Sequence, residues 1–277
     1  MFLALLEKAI VDLAIAAAVF VAVYIAFGRR LWTGAALRAT LGERHLITDL
    51  GHWFGNRVIF GPLWMVTIAF IFVPPWQEGA HKPGIAELIE MLPAFAQILL
   101  ALFLFDLAAY WRHRLTHASF LWSIHAVHHS ATRLNWLTGV RNHPLDQLLI
   151  YLSGAVIFAY AGFPMEIVTV TGMIRFYWVC FIHTDLRLDL GPLNYVITTP
   201  DFHRWHHVPD GVRHTNFAGF FSFIDLAFGT FHLPKDRRAT EFGIDEPCYP
   251  TGYVGQLIAP LRALLAVLRG SVRRPAV

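Results

Sequence analysis

The sequence predicts an all-α integral membrane bundle of about four to five spans, carrying a histidine-rich helical cap on its cytoplasmic side. Three observations predict it. Hydrophobic residues make up 56% of the 277 and charged residues only 15%, with a mean hydropathy of +0.50, well outside the soluble average. Long apolar runs recur along the chain, near the roughly 20 residues a spanning helix needs. Histidines cluster at helical spacing beside those runs, five of the 15 falling between His113 and His129. The 23 Phe and 9 Trp suit lipid-facing packing and interfacial belts.

Apolar segments fall at about 9 to 27, 58 to 74, 92 to 111, 145 to 162 and 164 to 182. The first is longer than a signal h-region and ends in Gly28-Arg29-Arg30 rather than a small-residue cleavage site, so it reads as an uncleaved span. The last two are separated by Gly162-Phe163-Pro164 and form a tight helical hairpin. Loop charge sets the orientation. Residues 28 to 57 carry Arg29, Arg30, Arg38, Arg44 and Arg57, and residues 112 to 144 carry four more Arg, whereas 75 to 91 hold Lys82 against Glu78, Glu87 and Glu90. The positive-inside rule puts the N-terminus out, the C-terminus in and the histidines at the cytoplasmic face. The net charge of +3 follows from these flanks and does not call for nucleic acid. Cys180 and Cys248 form neither a disulfide framework nor a CxxC pair.

After 183 the hydropathy drops. Leu190-Gly191-Pro192-Leu193 reads as a turn, and Thr199-Pro200-Asp201 as a helix start just ahead of His203. Residues 216 to 231 read as a short amphipathic piece closing over the site, and 254 to 269 as a helix lying in the interface. With no internal repeat beyond two HxxHH clusters and no linker, residues 1 to 277 read as one integral domain with a core at 95 to 235.

On a helix, positions i and i+4 share a face, so His113 and His117 project together, as do His125 and His129 with His128 beside them, and His203 and His207 with His206. So many imidazoles brought close repel if protonated, unless metal holds them neutral. Imidazole suits iron, zinc, copper or nickel, so ligand type leaves the metal open. His45, His52, His81, His214 and His232 stand alone and read as ordinary loop residues.

The motifs resemble the fatty acid hydroxylase and sterol desaturase superfamily of membrane di-metal oxygenases. They run from Asp106 through Tyr110-Trp111 to His113 and His117, then HAVHHS at 125 to 130 and Arg141-Asn142-His143-Pro144-Leu145-Asp146. Ile182-His183-Thr184, Thr199 to His207, Asn216-Phe217 and Asp225 to Thr230 complete the pattern. The HAVHHS, FIHT and LGPLNYVITTP stretches resemble the alkylglycerol monooxygenase branch more than the sterol branch. The resemblance implies nine metal ligands: His113, His117, His125, His128, His129, His183, His203, His206 and His207. It leaves His143 as either a tenth ligand or a support behind one. Asp106, two turns before His113, either orients an imidazole N–H or bonds a neighbouring helix. No catalytic residue beyond the ligands stands out.

What the resemblance implies is two metal ions, iron ahead of zinc, that use O₂ to hydroxylate a C–H bond of a lipid such as a fatty acyl, ether or sterol-like chain. Electrons would come from a partner protein or a small reductant, a reduced pterin in the alkylglycerol branch, since no flavin or haem fingerprint is present. The alternatives are a lipid desaturase or a zinc-dependent hydrolase on the same ligands. A metal transporter or sensor is a different class, but a transporter should place its ligands on broken helices at the bilayer midplane. These histidines sit at helix ends.

Overall fold

The computed structural model describes residues 1–27, 44–72, 84–118, 121–209, 214–246 and 248–269. Among them there is no strand. The helices are α1 (Phe2–Ala26), α2 (Arg44–Phe54), α3 (Gly61–Phe72), α4 (Gly84–Glu90), α5 (Ala94–Thr116), α6 (Trp122–His129), α7 (Pro144–Ala161), α8 (Met165–Ile182), α9 (Pro200–His206), α10 (Ser222–Ala227) and α11 (Tyr253–Leu268). Short 3₁₀ turns cover Trp136–Val140 and Gly191–Tyr195.

Among the described residues, three helices are long and apolar enough to cross a membrane: α1, α5 and α8. The five expected apolar segments are therefore unequal. The one expected at 58 to 74 begins in a π-helical stretch, Gly55–Phe60, that joins α2 to α3 without a break, and it is described only as far as Phe72. Within that stretch Arg57 lies over the Trp53 ring, 3.4 Å from its centroid. Helix α7, Pro144–Ala161, has 18 residues, at the short end of what a span needs. Arg29, Arg30, Arg38, Glu78, Lys82 and His81, on which part of the orientation and histidine readings rests, lie outside the described residues.

The turn between α7 and α8 forms where the sequence predicts it, but the two helices pack on α5 rather than closely on each other. Gly162 closes α7 in the left-handed region at φ 70°, where a Cβ would be strained, and its N–H bonds the Phe158 carbonyl. Pro164 then caps α8. Helix α5 packs on both α7 and α8, through Ala101, Phe105, Phe163 and Ile167. The C-terminal ends of α5 and α8 and the N-terminal end of α7 meet at one end of the bundle, where Arg112 and His125 bond Asp146 and His128 faces His183. Helix α9 packs on α8, and α11 on α6 and α2. The histidine-bearing elements converge at that end.

Candidate metal centre

The structure brings the nine histidines into two buried clusters. His113, His117, His125, His129 and His206 form one, and His128, His183, His203 and His207 the other, with the potential ligand atoms in each within 4.8 Å of one another. Each helical triple is divided between the clusters. His125 and His129, one turn apart, face the first and His128 the second; His206 faces the first and its neighbours His203 and His207 the second.

Whether these residues fit a cation is decided by where their protons are. His183 Nδ1 donates to the Val179 carbonyl at 2.6 Å, and His128 Nδ1 to the Arg141 carbonyl at 3.3 Å. A carbonyl only accepts, so the neutral rings must carry their hydrogen on Nδ1 and a lone pair on Nε2. Those two Nε2 atoms face each other at 3.2 Å. No proton stands between them. His203 Nε2 follows at 3.1 Å from His183 Nε2, and His207 Nε2 at 3.1 Å from His203 Nε2. Ligands about 2.0–2.1 Å from one metal ion would be about 3.0 Å apart at right angles and about 3.4 Å apart in a tetrahedron, and the observed edges fall between.

The five-histidine cluster has the same logic. His113 Nδ1 donates to the Phe217 carbonyl at 2.8 Å, His206 Nδ1 to the Thr215 carbonyl at 2.7 Å, and His125 Nδ1 to Asp146 Oδ2 at 2.8 Å. Their buried Nε2 atoms have no hydrogen-bond partner, nor does Nε2 of His129 or either nitrogen of His117. Burial pushes His183 down to about 4 and His206 to about 3, so both rings are neutral at pH 7. Burial first, then neighbouring imidazoles, holds His128, His129, His203 and His207 well below the usual histidine range. Buried lone pairs converging without donors suit a metal cation and little else.

Backbone carbonyls hold several of these rings, so the loops that supply them matter. Residues 215 to 221 supply two. Asp225 accepts from the amides of Phe217 and Ala218 at 2.8 and 2.9 Å, and Thr230 Oγ1 donates to it at 2.7 Å. Asp106, fully buried on α5, accepts from the amides of Gly219, Phe220 and Phe221 at 2.7–3.0 Å. Asn216 sits at φ 58°, tolerable for its short polar side chain, and donates to the carbonyls of Phe202 and His232. Thr199 caps α9 by accepting from Phe202 N, which fixes the register of His203, His206 and His207. Gly139 lies against His183, where an added Cβ would sit 3.2 Å from Nδ1.

Two readings left open by the sequence are narrowed. Asp106 orients backbone amides rather than an imidazole, because its carboxylate is filled by the 219–221 turn. His143 is outside both clusters: its Nδ1 accepts from Leu145 N at 3.2 Å as the cap of α7, and its Nε2 donates to the Leu257 carbonyl at 3.2 Å, leaving no nitrogen for a metal. Of the isolated histidines, His52 lies between the Asn142 carbonyl and Gln256, His45 bonds Thr132, His232 packs on Trp205 and His214 is exposed. None of these four belongs to either cluster.

The group missed from the sequence is Asp146. It is fully buried, accepts from His125 and pairs with Arg112 Nη1 at 3.2 Å. Its place in Arg141 to Asp146, four residues after an Arg-Asn pair and at the first turn of a helix, was the available signal. Among the described residues, this is the hydrogen bond to a cluster ring that is made to a carboxylate, and it fixes the orientation of His125. Asp146→Asn is expected to lower metal affinity by about 10–100-fold while the chain stays folded, as read by competition with a chelator.

Residues 98–230 match the family model described as fatty acid hydroxylase. Among curated proteins, an ornithine lipid hydroxylase of Rhizobium tropici is 31% identical over 175 residues, covering 62% of this chain and 52% of the relative. The alkylglycerol monooxygenase of Danio rerio is 32% identical over 147 residues, covering 51% and 31%. A very-long-chain aldehyde decarbonylase of Oryza sativa subsp. indica is 27% identical over 149 residues, covering 53% and 56%. The aligned region thus spans about half or less of the length of the first two relatives. No solved structure matches the chain. The matched region contains all nine clustered histidines, the aspartates that tie the 215–221 turn and the carboxylate behind His125, so the part of the chain that builds the site is the part that is similar to the fatty acid hydroxylase family.

Proposed function

We propose that the chain is a membrane-bound di-iron oxygenase that hydroxylates a C–H bond of a lipid. The observation that carries this reading is the convergence of buried imidazole lone pairs, two of them facing at 3.2 Å, with their Nδ1 hydrogens turned outward to carbonyls. His113, His117, His125, His129 and His206 would hold one ion, and His128, His183, His203 and His207 the other. Iron held there would supply activation of O₂ for attack on an unactivated C–H bond.

The chain's own part is positional. With four histidines on one side against five on the other, an ion held by His128, His183, His203 and His207 would have fewer protein ligands around it. Asp146 and the 215–221 turn fix ring orientation, and the burial of all nine histidines keeps bulk water from the reacting atoms. Helices α1, α5 and α8 expose apolar side chains such as Phe95, Leu99 and Met173 along their length, so lipid can approach from within the bilayer. The arginine-rich flanks support a cytoplasmic cage, with the electron donor, a carrier protein or a reduced pterin, arriving from that side. The hydroxylase and monooxygenase relatives support the same reaction class.

The test is oxygen uptake by purified protein loaded with ferrous iron and given reductant and membrane lipid extract. Two iron ions per chain and a lipid gaining one oxygen atom are expected. A lipid losing two hydrogens instead would make it a desaturase. Oxygen-independent lipid cleavage by the zinc-loaded protein, with no uptake under iron, would make it a hydrolase.

A further inference from the structure

Beside the cage, between the end of α1 and the segment after α8, lies a cavity of about 300 Å³ lined among the described residues by Phe27, Leu186, Arg187 and Arg238. Leu186 is three residues beyond His183, so the two Cα atoms are at most about 11 Å apart. One wall of the cavity is therefore within about 11 Å of the four-histidine cluster along the chain. Its apolar lining is Leu186 and Phe27, the residue that ends α1, and α1 itself exposes Val21 and Ile25 in the turns before it. Its polar side is cationic.

Arg238 is held in place there: its Nε bonds Asp201 and its Nη2 donates to the carbonyls of Asp185 and Leu186. Arg187 is exposed. Arg204, next to His203, is only 7% exposed, stacks on Phe242 at 4.4 Å, and has no hydrogen-bond partner for Nε or Nη1. The charged neighbours acting on Arg204 are Arg238, Asp185 and Asp201. Among the described residues two guanidiniums, of Arg187 and Arg238, therefore line the cavity, and Arg204 stands behind Arg238 with two buried N–H donors that lack acceptors, a combination suited to a carboxylate or phosphate.

We propose that this cavity is an anion subsite that holds the carboxylate or phosphate headgroup of the lipid substrate, with its chain lying along α1. The word substrate rests on the oxygenase reading; the binding does not. The test uses the full-length protein in neutral detergent and measures its affinity for dodecyl phosphate, dodecanoate, dodecanol and inorganic phosphate. The anionic amphiphiles should bind about tenfold more tightly than dodecanol, and both Arg187→Gln and Arg204→Gln should remove most of that difference without changing dodecanol binding. Equal affinity for dodecanol and dodecyl phosphate overturns the proposal, as does a loss in the variants that is the same for both. Inorganic phosphate binding as tightly as dodecyl phosphate overturns the headgroup assignment, because a chain-free anion would then be the ligand. Discrimination by charge in a protein that takes up no oxygen sinks the oxygenase reading alone, whereas uptake without discrimination sinks the subsite alone.

Discussion

His183→Ala is expected to cost one of two bound metal ions and more than about 100-fold in turnover, since even residues behind the ligands of a metal site are worth 10–100-fold. The ring lies in the middle of its cluster, its Nε2 3.2 Å from that of His128 and 3.1 Å from that of His203. Its orientation is set by a 2.6 Å bond from Nδ1 to Val179 one turn back on α8, so no neighbouring side chain can swing into its place. Alanine leaves three imidazoles in a buried site with one side open. The five-histidine cluster shares no ligand with it and should still fill. Metal analysis of the purified variant therefore checks the expectation: close to one ion per chain, with an unchanged elution volume. Two ions retained, with turnover intact, would remove His183 from the site.

How much of this was legible in the sequence depends on which interactions are local. The i, i+4 spacing within residues 113–117, 125–129 and 203–207 is local, so the convergence of those rings could be read directly. Their division into five and four could not. It follows from the angle at which α6 and α9 face each other, which puts His129 near His206 but His128 near His183, and such angles come from long-range packing. Asp106 and Asp146 were exchanged for the same reason. Asp106 stands two turns from His113 on one helix and looked like its partner, while Asp146 is 21 residues from the ring that it bonds. The spans were legible as apolar runs, whereas the π-helical stretch at 55–60, just where one of them begins, has no signature in the hydropathy. The 215–221 turn was invisible as a support. Its role is carried by backbone carbonyls, whose positions no side-chain pattern records.

Removing the metal with a chelator is expected to leave a protein that loses stability steeply as the pH falls below about 6.5, the ordinary histidine value. Burial lowers the folded-state values of His183 to about 4 and of His206 to about 3. Between those values and 6.5 the unfolded chain binds more protons than the folded one, so stability rises with pH across that window and is lost as the pH drops through it. Each such imidazole contributes roughly 1.4 kcal/mol per pH unit, and several act together. At pH 7.5 the same rings are neutral in both states, and the loss then comes only from the metal's absence. Bound metal opposes this, since it occupies the lone pairs that protons would take. Thermal melts of metal-free and metal-loaded protein from pH 7.5 to 5 should therefore diverge, the metal-free midpoint falling first and the loaded one following when acid displaces the ions. Parallel curves would mean that the clustered imidazoles are not the groups that titrate, and with that the cage would lose its main physical support.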